Sequence, residues 1–265
     1  MTSPKAGALA CLVLVLRIFT PVSRCQAQFD QVHTLLLELD RLQKSGQRDK
    51  PTVDRLNDLV AEVSQRAGTL LNSGILALLN SPGTHTAAEI KERISTALQI
   101  LPTGGYHPEV YAFRSARGHQ DTYLIAYNIP YCASCSRAWI GLIGKRRGRY
   151  EVLSEKGEAF ADRSLHVARL SESEARTARF LVYGSNWGDA HSRLTAMAFQ
   201  IYDAQLRSIW SRSDLPQGSV EVTPTRLSLT FLTSLNPPWR EKTEVYEVPQ
   251  GKQIKLQESV ERPNP

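Results

Sequence analysis

The 265-residue sequence predicts an α+β protein: a helical front half followed by an antiparallel β-meander. Three observations carry that prediction. Apolar residues recur at spacings of three and four in the first hundred or so positions. Beyond Tyr106 they fall instead in short runs rich in β-branched and aromatic residues, separated by tight turns. No helix of crossover length lies between those runs, which argues against a parallel sheet.

Taken in order, the chain begins with Lys5 and an apolar run from Ala6 to Leu16, followed by small residues at Cys25 and Ala27. This is the pattern of a secretory signal peptide occupying residues 1–27 and cleaved after Ala27. The run is shorter than the roughly 20 residues that span a bilayer, so a retained anchor is the lesser alternative. Removing the signal takes away Lys5, Arg17 and Arg24 and no acids, lowering the formal charge from +6 to +3. So small an excess does not imply a nucleic-acid partner. No later apolar run is long enough to cross a membrane, and the mature chain is expected to be secreted or periplasmic.

Residues 28–105 are predicted to be a helical region. Val32, Leu35, Leu39 and Leu42 form one stripe of a helix that Gly46 ends, glycine being the common residue past a helix C-terminus. Pro51 opens a second helix, where its missing N–H costs nothing, with Val53, Leu56, Val60, Val63, Ala67 and Leu70 on its buried side. Two such helices joined by a short polar link should pack antiparallel. Asn72 to Gly83 reads as a short buried segment ending in a turn. Thr86-Ala-Ala-Glu89 is a capping box that starts a third helix, burying Ile90, Ile94, Ala97 and Leu98 and stopping at Pro102 to Gly105. With about two heptads each, these stripes suit a layer packed on its own domain better than a dedicated coiled coil.

Residues 106–257 are predicted to be an antiparallel β domain. Twelve runs read as strands: 109–114, 123–129, 138–143, 150–153, 166–170, 179–183, 195–202, 208–211, 219–222, 227–232, 245–248 and 254–256. Leu227, Leu229 and Phe231 alternate with polar neighbours as a half-buried strand requires. Tight turns at Lys145 to Gly148, Tyr202 to Ala204, Pro216 to Gly218 and Pro249 to Gly251 favour a meander, closed as a sandwich, a barrel or propeller-like blades. Residues 258–265, polar and proline-rich, are expected to fray as a flexible tail.

Four features bear on chemistry. Cys132 and Cys135, the only cysteines left after signal removal, lie at a hairpin bend. In an exported protein the leading expectation for them is a local disulfide, contributing about 2 kcal/mol because it closes so short a loop. A redox dithiol is a second reading, since a two-residue gap lets one thiol resolve a mixed disulfide formed by the other. A zinc site is a third, with His107 and His119 joining Cys132 and Cys135, although the spacing matches no established pattern. Haem attachment is excluded, because Ser136 stands where a histidine is required.

The second feature is the loop holding Asn186, Trp187, Asp189 and His191, able to stack on and hydrogen-bond a sugar or peptide, or simply to turn the chain while the tryptophan covers a sheet edge. The third is Lys145-Arg-Arg-Gly-Arg149, read either as an anionic-surface contact or as a charged, soluble hairpin turn. The fourth is the set of six histidines, scattered without any metalloprotease spacing. Glu109, Asp121 and Asp189 are only nominal candidates for a glycosidase carboxylate pair, which spacing alone does not reveal. Ser185 lacks the context of a nucleophile elbow. The expected function is therefore an exported, non-catalytic binding or structural protein of the bacterial envelope or secretome. Its partner is expected to be a protein or a cell-wall or polysaccharide ligand, and no cofactor is required. The alternative is an exported thiol-redox or zinc-binding protein built on Cys132 and Cys135.

Overall fold

The structure, a computed structural model, describes residues 34–35, 37–39, 41–42, 44–98, 108–114, 120–130, 136–158, 165–170, 178–188, 191–249 and 253–264. Described residues between 34 and 45 are helical, and Gly46 follows them at φ 69°. Only a residue without a Cβ takes that conformation freely, which is why the helix ends there. Leu39 is buried, and Arg55 Nη2 pairs with Glu38 Oε1 at 2.8 Å, tying this segment to the next helix.

Helix α1 runs from Lys50 to Leu79 with Pro51 in its first turn. Its buried side is Leu59, Val63, Ala67, Leu71, Ile75 and Leu79, a strict four-residue repeat, with Leu70 alongside. Two details differ from expectation. Val53 is 38% exposed and plays no part in the stripe. The segment from Asn72 is not a separate piece, because α1 continues through Ser73 and the buried Gly74 to Leu79. Tertiary contact outweighs the weak local propensity there: the Tyr127 hydroxyl donates to Asn72 Oδ1 at 2.6 Å. Helix α2, Ala87–Leu98, is capped by Thr86, whose Oγ1 accepts from the Glu89 N–H at 3.1 Å. It buries Ile90, Ile94 and Leu98. Among the described residues no helix is long and apolar enough to cross a membrane.

The β part is three antiparallel meanders of four strands each. The first sheet contains β1 (Glu109–Arg114), β2 (Gln120–Pro130), β3 (Ser136–Arg146) and β4 (Arg149–Glu158). The second contains β5 (His166–Arg169), β6 (Arg179–Gly188), β7 (His191–Tyr202) and β8 (Gln205–Pro216). The third contains β9 (Ser219–Val222), β10 (Arg226–Leu232), β11 (Arg240–Glu247) and β12 (Lys255–Pro263). Within each, neighbours in sequence are neighbours in space. Of the closures considered, this is the one that resembles blades, each a separate meander.

Period-2 alternation sends every central strand in two directions. From the first sheet, Tyr123, Ile125, Tyr127 and Ile143 meet Leu71, Ile75, Leu79, Ile90 and Ile94 of the helical layer. The alternate residues Leu124, Ala126, Ile140 and Leu142 meet Phe180, Val182, Phe199 and Ile201 of the second sheet. That sheet's opposite face, with Leu181, Leu194, Ala196 and Ala198, packs on Leu227, Leu229, Phe231 and Tyr246 of the third. Layers therefore succeed one another as helices, sheet, sheet, sheet. The strands buried on both faces are near-continuous apolar runs, while β12 is almost wholly polar and exposed.

The segment from Glu258, expected to fray, is instead ladder-bonded to β11 as far as Pro263, which pairs with Arg240. An edge strand has one partner and one solvent side, so its polar composition is compatible with pairing. Proline at its end forgoes a donor that an edge does not need.

Candidate functional site

A concavity lies where the helical layer meets the β3–β4 hairpin, a pocket of about 370 Å3. Local chemistry explains its shape. Pro82 cannot continue α1 and Gly83 sits at φ 121°, so the chain leaves the helix sharply and turns back to the Thr86 cap. Asn80 anchors this turn to the sheet: its Nδ2 donates to the Tyr150 carbonyl at 3.0 Å and its Oδ1 accepts from the Tyr150 N–H at 2.8 Å. On the other wall, Arg147 (φ 52°) and Gly148 (φ 81°) make the paired positive-φ turn that matches hairpin twist.

Within the pocket, Ser81 and His85 are hydrogen-bonded to each other. Ser81 Oγ donates to the Leu78 carbonyl at 2.7 Å and lies 3.0 Å from His85 Nε2, which accepts or donates according to the ring's tautomer. The imidazole is nearly buried, with 11% of its side chain exposed. Its Nδ1 faces Glu89 Oε2 at 3.5 Å, inside ion-pair reach but longer than a good hydrogen bond, and has no other partner among the described residues. The Tyr123 hydroxyl donates to the His85 carbonyl at 2.9 Å and fixes the backbone that carries the ring. Lys145 Nζ lies 5.0 Å above the Tyr150 ring, a cation–π placement. Among the described residues no carboxylate is within 4.0 Å of that ammonium, and no carboxylate lines the pocket. Gly83 and Thr84, also on the wall, have backbone N–H groups with no acceptor among the described residues. The arrangement offers a cation, hydroxyls and amide donors to a small ligand.

A second polar cluster lies between the second and third sheets. Glu244 on β11 is 3% exposed. It accepts from Arg212 Nε at 3.1 Å and Nη2 at 2.9 Å, from Lys242 Nζ at 2.9 Å and from the Tyr246 hydroxyl at 2.6 Å. Burial alone would push its carboxyl up. The hydrogen bonds from Tyr246 and Lys242 and the charges of Arg212 and Lys242 outweigh burial and hold it below the usual range. Burial and the adjacent carboxylate push the Tyr246 phenol up to about 12. With its oxygens all engaged, Glu244 has no spare lone pair for a substrate proton and acts as a clamp between sheets.

Of the residues proposed from sequence, Cys132, Cys135, His107, His119 and Asp189 lie outside the described residues. Asn186, Trp187 and His191 belong to a hairpin: Asn186 pairs with Arg193, Trp187 with Ser192, and Gly188 with His191. The ladder thus reaches further into this segment than a loop reading implied. Their side chains lie outside the described set. Glu109 is taken by Lys91 at 3.1 Å. No group of three or more His, Cys, Asp or Glu able to hold a metal occurs among the described residues. The charged turn from Lys145 to Arg149 is exposed as expected, but its first residue also lines the pocket. Ser81 and His85 were missed, because a serine and a histidine four apart in a Pro-Gly turn carry no recognised signature.

No family model matches this chain, and no curated protein matches it. Among solved structures it is similar to the α-L-arabinofuranosidase Arb93A from Fusarium graminearum, in complex with an iminosugar inhibitor, at 14% identity and a TM-score of 0.28. That likeness covers 56% of this chain and 49% of the enzyme, so the chain spans about half the enzyme's length. A likeness of that size does not define a shared fold.

Proposed function

We propose that this is an exported binding protein whose ligand site is the pocket between the α1–α2 turn and the β3–β4 hairpin, taking a small ligand with an anionic group. The observation that carries the reading is the pocket's charge balance: Lys145 stands without a carboxylate partner among the described residues, beside hydroxyls and uncommitted amides. An anion replaces lost hydration with charge-assisted hydrogen bonds there, whereas a cation or an apolar ligand does not. In the bacterial envelope or secretome the matching class is an acidic sugar or phosphate-bearing fragment of a cell-wall polymer.

Calorimetric titration of the mature chain with glycerol phosphate, glucuronate and glucose tests this. Binding of an acidic ligand, weakened by salt and reduced about 10- to 100-fold by Lys145→Ala, is the expected outcome, because a charged hydrogen bond is worth about 1.5–3 kcal/mol. Equal binding of glucose, or no effect of Lys145→Ala, overturns it.

A further inference from the structure

We infer that Ser81, His85 and Glu89 form a nucleophile–base–orienter set that makes the pocket a hydrolytic site for small carboxylic esters. The geometry sets the three groups in the order such sites use: the serine hydroxyl within hydrogen-bond reach of the imidazole, and the imidazole's other nitrogen facing a carboxylate. Ser81 Oγ lies 3.0 Å from His85 Nε2, and His85 Nδ1 lies 3.5 Å from Glu89 Oε2. Among the described residues Nδ1 is buried without a hydrogen bond, and the acceptor it faces is Glu89 Oε2 at 3.5 Å. In the tautomer that carries its proton on Nδ1, Nε2 is free to accept from serine once the Oγ–H turns from the Leu78 carbonyl. Glu89 supplies the third group because its carboxylate turns towards His85 and Arg93. A serine that only braced the α1 terminus would need no more than its 2.7 Å bond to Leu78 O. The pocket is lined by both Ser81 and His85, and by Gly83 and Thr84, whose N–H groups have no acceptor among the described residues and are the candidate donors to a developing oxyanion. The Glu244 cluster offers nothing comparable, since its oxygens are all engaged.

The chemistry balances without any further reagent than water. Ser81 Oγ bonds to the ester carbon while its proton passes to His85 Nε2 and the carbonyl π pair moves to oxygen. Collapse expels the alkoxide, which takes the proton from His85 and leaves as the alcohol. Water then adds to the acyl-serine carbon, gives a proton to His85, and Ser81 Oγ departs with that proton as the carboxylic acid is released. Ser81 and His85 are the catalytic residues and Glu89 a positioning residue.

This assignment goes beyond the binding reading and does not depend on which group Lys145 holds. The test uses the mature full-length chain with diisopropyl fluorophosphate as covalent probe and 4-nitrophenyl acetate as substrate. One phosphoryl adduct per chain, mapped to Ser81, is expected, with none on Ser81→Ala. His85→Gln should lower the labelling rate about 100-fold or more, in the range of general-base contributions. Glu89→Gln should lower it and move the pH at which labelling half-develops, an effect that loss of packing alone does not produce. Absence of any adduct on the wild-type chain between about pH 6 and 9 overturns the assignment, whatever the variants do. So does an unchanged rate in a His85→Gln chain whose circular dichroism is native. Anion binding by the wild-type chain, with no labelling of it, would sink the hydrolytic inference and leave the binding reading standing.

Discussion

Glu244→Gln is a sharp test of how the sheet stack is held together. The substitution keeps the side chain's size and removes its charge. In the wild type the carboxylate takes two bonds from Arg212, one from Lys242 and one from Tyr246. Breaking a fully buried ion pair costs about 3–5 kcal/mol, mostly because the surviving charge is stranded. Here the survivors are not stranded: Arg212 is 37% and Lys242 31% exposed, so both regain water. What remains is the weakening of four charge-assisted bonds, about 0.5 kcal/mol each, and an amide NH2 now facing cationic donors. The expected loss is therefore about 2–3 kcal/mol, read as a lower urea midpoint at neutral pH with unchanged slope. The pH dependence has a definite sign. A carboxyl held below its unfolded value stabilises above that value, about 4.3, and loses its contribution as pH falls through the folded one. Wild type and variant should converge in acid. A difference under about 0.5 kcal/mol at neutral pH, or a gap unchanged by acidification, refutes the clamp.

Three further predictions concern two tight backbone positions and the proposed export. A methyl group at Gly141 would fall within the Trp139 indole, which stacks on Tyr127 with centroids 5.1 Å apart. Gly141→Ala should cost about 1–3 kcal/mol and red-shift tryptophan emission as that ring is expelled. Ala204 sits at φ 57° beside Asp203 at φ 49° in the β7–β8 turn, where glycine is favoured. Ala204→Gly should raise the urea midpoint by about 0.5–1 kcal/mol of stability, the relief of αL strain less the entropy glycine adds to the unfolded chain. Finally, the proposed export predicts an intact mass, after alkylation without reductant, that corresponds to loss of residues 1–27 with no label on Cys132 or Cys135; two labels would point to free thiols instead.

Local periodicity carried much of the fold. Each of the twelve runs read as strands overlaps one of the observed strands, and the Thr86 cap and the Gly46 stop stand where they were expected, because each depends on residues within one helical turn or one hairpin. Other features were beyond local reading. Asn72 to Gly74 looks like a break, yet α1 runs through it because the sheet supplies Tyr127 as a partner for Asn72. β12 has no apolar alternation, and its place was decided by the open edge of β11. Which face of each sheet meets which neighbour was likewise invisible, since both faces of β2, β3 and β7 are apolar. The pocket shows the division most plainly: Ser81, His85 and Glu89 are close in sequence, but they gain meaning only beside Lys145 and Tyr150, some 60 residues further on. The amino-acid order by itself determined helix, strand and turn, because those follow from backbone preference and hydrophobic period over a few residues. The order of layers, the Glu244 clamp and the pocket were decided by tertiary structure, because burial and ion pairing act between surfaces that only folding brings together.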